Sequence, residues 1–287
     1  MVVCDESLGL AGGRQRVAPV LVERIGIVVS SVVALFLISP LLRVPVLTVP
    51  LTALGTPLRL GISRHLVVGV VAGLVTWVGM HAVLILHPGY APGTRVYSHR
   101  LLPALTAVAA AVFWQRQASQ TVEGQLVAAA LIGLALSLVM LAQFLAADGE
   151  SPWVVRLRTV LSVVSLAVGL YLLIMIYETR ARSLVTATAA ALLTGAIAID
   201  IMQYEAVSEW RLLRAAALIG LILGECAWAL NYWRLSPLRA GFILFTVIYL
   251  LVGLTRRYFH GSSMALAVLE HAIMALLLLY VMSSFTL

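Results

Sequence analysis

The chain has 287 residues, of which 62% are hydrophobic and 11% charged, and it carries a net charge of +7 with a mean hydropathy of +1.05. Soluble domains are about 25% charged, so these few charges cannot cover a water-facing surface and lipid must be the solvent for most of the chain. Hydrocarbon cannot hydrogen-bond a backbone, which leaves helices or closed barrels as spanning elements; apolar runs of about 17–25 residues match a helix crossing the bilayer, not a barrel strand.

Taken in chain order, the pattern predicts an all-α polytopic transmembrane helix bundle of about nine spans in a single transmembrane domain over 1–287. Residues 1–24 form a polar N-terminal tail without the layout of a cleavable signal peptide, so the first span, Ile25 to Leu42, doubles as an uncleaved insertion signal. The stretch Arg43 to Arg64 carries Pro45, Pro50 and Pro57. Each proline removes a helical backbone bond, so this stretch reads as an interfacial or re-entrant segment. Further helices are expected at His65–Leu86, Leu101–Trp114, Val122–Ala147, Pro152–Tyr177, Leu184–Tyr204, Trp210–Trp233, Pro237–Thr255 and from Ser263 to Met282. Ser151-Pro152 and Ser236-Pro237 are start signals, a capping serine followed by proline at the first helical position. SPWVVRLRTVL and SEWRLLRAAAL, opening the fifth and seventh helices, echo each other faintly. Interfacial tryptophan and arginine anchors account for that without a repeat.

Small residues recur at four-residue spacing in the second helix (Gly69, Gly73), the fourth (Ala129, Gly133, Ser137) and the seventh (Ala216, Gly220, Gly224), and the sixth reads TATAAALLTGAIA. Such stripes let backbones approach closely in lipid, so the sixth and seventh helices should be buried and the first or third lipid-facing.

The residues most informative about function are acids inside apolar runs: Asp200, Glu225 and Glu270, the last beside His271. A carboxylate at mid-bilayer costs about 2.5–3.5 kcal/mol even on lenient scales, so it pairs, protonates or faces the interior. Asp200, near the end of the sixth helix, reads as a group reaching the interface, and Glu270 as a partner for Arg256 or Arg257. Glu225 is the deepest, and Trp228 and Tyr232 share its helix face at i+3 and i+7. That face suits the wall of an internal cavity or a proton pathway comprising Glu225, Trp228, Tyr232, Glu270, His271 and Asp200. The loop His87–Arg100 holds Arg95, Tyr97, His99 and Arg100, a set able to contact lipid headgroups. His65 and His81 read as interfacial histidines rather than ligands.

The chain has no glycine-rich phosphate loop, HExxH, CxxC or GxSxG, and Cys4 and Cys226 suggest neither a disulfide nor a metal site. No cofactor or metal is expected. The basic residues are all arginine and are scattered through short loops, which points to membrane lipids as contacts and not to nucleic acid. Three readings follow: a small proton-coupled transporter or permease, favoured by the buried acids; a non-catalytic subunit contacting a membrane-protein partner or a second copy; and, least favoured because the catalytic motifs are missing, a lipid-modifying enzyme.

Nine spans put Arg14, Arg16, Arg24, Arg95, Arg100, Arg156, Arg158, Arg211, Arg214, Arg256 and Arg257 on the N-terminal side, more than the remaining arginines opposite. The positive-inside rule then sets the N-terminus in the cytoplasm, in the inner (cytoplasmic) membrane of a prokaryote, with the C-terminus outside. Reporter fusions after Leu287 test this expectation, and a cytoplasmic reporter there would overturn either the span count or the orientation.

Overall fold

The computed structural model describes residues 6–41, 47–53, 56–62, 64–87, 98–117, 121–147, 151–179, 183–233, 235–261 and 273. The all-α membrane class holds. Eight helices are described: α1 (Glu6–Ile38), α2 (Arg64–Leu84), α3 (Leu101–Gln117), α4 (Val122–Ala146), α5 (Pro152–Glu178), α6 (Ser183–Met202), α7 (Glu209–Leu230) and α8 (Pro237–Phe259). Seven are long and apolar enough to cross a membrane; α3 has only 17 residues. The expected nine is therefore slightly high, and the last expected helix, 263–282, lies outside the described residues.

Two differences from the sequence reading have simple causes. The first helix begins at Glu6 rather than Ile25 and runs through Pro19. The proline-rich segment is an antiparallel hairpin of β1 (Leu47–Ala53) and β2 (Thr56–Ile62), with Leu47 opposite Ile62 and Pro50 opposite Arg59. Proline excludes helix here, while two strands with no further neighbour tolerate its missing N–H. Unpaired strand edges have no place in hydrocarbon, so the hairpin belongs to the headgroup region or to water.

The chain divides into two compact units, Met1–Val154 and Val155–Leu287. In the first, α1 to α4 enclose a core of Val32, Phe36, Val68, Ala72, Ala107, Trp114, Ile132 and Leu136, with Phe36 stacked on Trp114 at 6.1 Å between ring centroids. The expected small-residue stripes mark the helix contacts. A Cβ at Gly73 would stand 3.0 Å from Val108 of α3, Gly133 faces Val29 and Val33 of α1, and Gly79 leaves no room for a side chain against Val28.

In the second unit α6 and α7 form the most extensive helix pair. Ala187, Ala191 and Gly195 meet Ala216, Gly220 and Gly224, and a Cβ on Gly220 would sit 2.6 Å from the Ala191 carbonyl oxygen. Half of the α6 span is buried, the largest share of the seven spans, against 22% for α1, in line with the small-residue reading, whereas α7, at 39%, is no more buried than α2. Gly169 of α5 abuts Ile197 of α6, and Gly241 of α8 abuts Ile174 of α5. Tyr177 at the end of α5 donates its hydroxyl proton to the Leu230 carbonyl of α7 at 2.5 Å. Ser236 caps α8 through the Arg239 amide as its sequence signal predicted. Ser151 stands before α5, but its hydroxyl has no partner among the described residues.

Gly220→Ala drives a methyl into backbone, whereas Gly26→Ala on α1 adds one to open space. Thermal unfolding in detergent should show the first losing about 1–3 kcal/mol and the second neutral or stabilised by up to about 1 kcal/mol.

Candidate functional site: a polar cluster at the turn between α6 and α7

Helices α5 and α7 begin, and α6 and α8 end, at one end of the second unit, so the tight turn 203–208 lies among four helix termini. The turn closes through backbone hydrogen bonds, the Glu205 N–H donating to the Met202 carbonyl and the Val207 N–H to the Glu205 carbonyl. This draws Glu205 inward until its side chain is 4% exposed. Its carboxylate accepts from Arg256 Nε at 2.7 Å, on the last turn of α8, and from Nε2 of the capping His260 at 2.9 Å, with the two side chains 43% and 63% exposed. The acid is buried and its partners reach solvent, so Arg256 and His260 keep much of their hydration while the carboxylate is satisfied.

Asp200 lies one turn back and is 2% exposed, buried rather than reaching the interface as expected. The Gln203 amide nitrogen donates to the Asp200 carbonyl at 2.7 Å and to its carboxylate at 3.2 Å. The Gln203 side-chain oxygen is buried with no hydrogen-bond partner among the described residues. Beside them, the Arg158 guanidinium from α5 lies 4.7 Å over the Tyr204 ring, within cation–π range. Burial, and then the Asp200 charge, push the Tyr204 hydroxyl well above its ordinary pKa, and Arg158 offsets only part of that rise.

Outside this cluster, a cleft of about 710 Å³ opens between the start of α7 and the end of α8. Arg211, Arg214, Thr255 and Tyr258 line it, with Ala215 and Leu218 further along α7. Arg214 Nε donates to the Trp210 carbonyl at 3.3 Å, and neither arginine has an acidic partner among the described residues.

The expected cavity around Glu225 is not met among the described residues. Glu225 is exposed, as are Trp228 (47%) and Tyr232 (74%). The glycine face of α7 is committed to α6, and Glu225 lies about 140° round the helix from Gly220 at 3.6 residues per turn. Glu270 and His271 lie outside the described residues, as do Arg95 and Tyr97. The other two residues of the expected headgroup set turn to protein partners within the first unit. His99 Nδ1 donates to Gln143 Oε1 at 3.2 Å, and Arg100 donates to His81 Nδ1 at 2.7 Å with its guanidinium 5.8 Å from the Trp77 ring.

Sequence reasoning missed Glu205, treating its loop as a connector and assigning Arg256 or Arg257 to Glu270. The available signal was an acid alone in a six-residue turn between two apolar helices, with a basic pair ending α8.

A bundle of lipid-length apolar helices with its charges gathered at helix ends defines a multi-pass membrane protein. The chain belongs to the family described as protein of unknown function (DUF5656), whose model matches residues 44–285. No curated protein and no solved structure matches it.

Arg256→Gln removes the better partner of a buried carboxylate and should lower stability by about 1–3 kcal/mol in thermal unfolding, while Arg239→Gln, exposed at the far end of α8, should stay within about 0.5 kcal/mol. The raised pKa means that Tyr204 contributes stability fully present below pH 10, lost as pH rises through its higher folded-state value. In an ultraviolet difference titration, wild type minus Tyr204→Phe should therefore show no ionisation step near pH 10.

Proposed function

We propose that the protein is a non-catalytic subunit of a membrane assembly and docks a transmembrane helix of a partner protein along α7. The observation that carries this reading is the exposure of Leu218, Leu221, Glu225, Trp228 and Tyr232. Their spacing alternates three and four, the pattern of a seam on which a second helix crosses at about +20°. Leaving a carboxylate in that seam against acyl chains costs about 2.5–3.5 kcal/mol, which a donor or cation on a facing helix removes. A second copy fits less well, since a parallel two-fold seam brings Glu225 against Glu225.

A proton-coupled transporter, which the acids first suggested, requires a titrating carboxylate on a wet internal path. Glu225 faces outward, and Asp200 and Glu205 are engaged by Gln203 and by Arg256 with His260, so the docking reading is better supported. The arginine asymmetry of the nine-span reading supports a cytoplasmic N-terminus.

Gentle purification from the native membrane followed by native mass spectrometry tests the proposal. A partner at fixed stoichiometry is expected, lost in Glu225→Leu combined with Trp228→Ala and retained in Val163→Ala on the exposed face of α5. A lone chain carrying a small molecule would favour transport instead.

A further inference from the structure

The cleft between α7 and α8 has a chemistry that the docking seam does not use. Arg211 and Arg214 stand three residues apart and so lie on one side of the first turns of α7. They have no carboxylate to neutralise them among the described residues, although the Glu205 carboxylate nearby is occupied by Arg256 and His260. Two guanidinium groups at one mouth offer several donors in planar forks, the arrangement that matches phosphate oxygens. Tyr258 adds a hydroxyl from α8, while the Thr255 hydroxyl donates to the Leu251 carbonyl at 2.7 Å.

Polarity then falls along the cleft. From Arg211 to Leu218 is about 10 Å of helix at 1.5 Å per residue, and over that distance the lining passes from arginine through Ala215 to Leu218, which is 58% exposed. Trp210 and Tyr258, 67% and 69% exposed, mark the depth at which amphipathic rings sit between headgroups and chains. A free anion would use only the mouth. A ligand with a phosphate and an attached chain uses the whole length.

We infer that this cleft is a binding site for an anionic phospholipid, with its phosphodiester on Arg211 and Arg214 and its first acyl segment running past Ala215 and Leu218. The site does not rest on the docking seam, which it meets at Leu218.

The test uses the full chain in nanodiscs of mixed phosphatidylcholine and phosphatidylglycerol, with retained lipid counted by native mass spectrometry. Wild type should keep a phosphatidylglycerol molecule, and Arg211→Gln with Arg214→Gln should weaken its retention about 30-fold, the product of two arginine–headgroup contacts of ordinary strength. Arg239→Gln should leave it unchanged, and Ala215→Phe, which fills the cleft without altering charge, should also displace the lipid. In phosphatidylcholine nanodiscs, inorganic phosphate is the second probe: saturable, arginine-dependent phosphate binding that displaces added phosphatidylglycerol would reassign the cleft to a soluble phosphate ligand. Equal retention by the double variant and wild type would overturn the site.

Discussion

The second unit depends on how closely α6 and α7 approach. Between helices in lipid there is no hydrophobic driving force of the kind that operates in water, and association rests on van der Waals packing and hydrogen bonds. The stripe Ala187, Ala191, Gly195 against Ala216, Gly220, Gly224 brings backbone against backbone with no room for a further carbon at Gly220. Once that contact is made, the rotation of both helices is settled. It fixes where the turn 203–208 falls, draws Glu205 toward α8, and sends Glu225, Trp228 and Tyr232 to the other side of α7. The ion pair at one end and the outward carboxylate toward the other are two consequences of one packing choice.

The same division of labour runs through the first unit. Its apolar core is supplied by all four helices, and several polar side chains bond within the protein, although Trp114 Nε1 in that core has no partner among the described residues. Thr76 returns its hydroxyl proton to the Ala72 carbonyl of its own helix at 2.8 Å, and Gln143, fully buried, accepts from His99. In hydrocarbon the alternative to each bond is an unsatisfied group. His99 and Arg100, which from sequence suit headgroup contact, bond to Gln143 and His81 within the unit.

What was legible in the sequence follows from what the bilayer constrains. Length and composition of the apolar runs reveal the spans, because the membrane thickness imposes them. Small-residue content marked α6 and α7 as helices able to pack closely, because few other residues permit it, but not that they pair with each other. Ser236-Pro237 marked a helix start by purely local chemistry. The outward direction of Glu225 was not legible: α7 is apolar on several faces, so periodicity does not say which one meets protein and which meets lipid. Nor was the pairing of Glu205 with Arg256, which joins residues 51 positions apart and depends on how the helices return. The hairpin at 47–62 was half legible, since proline excludes a helix without saying what replaces it.

Helix α7 is fastened at each end by a different bond. At its C-terminus, the Leu230 carbonyl is taken by the Tyr177 hydroxyl of α5; ahead of its N-terminus, Glu205 is held by Arg256 of α8 and by the capping His260; between them the glycine stripe leaves no slack against α6. A helix clamped in this way cannot tilt about either end without breaking a buried polar contact, so the second unit has the mechanics of a strut, and any large rocking motion of α7 must carry α5, α6 and α8 along as one body.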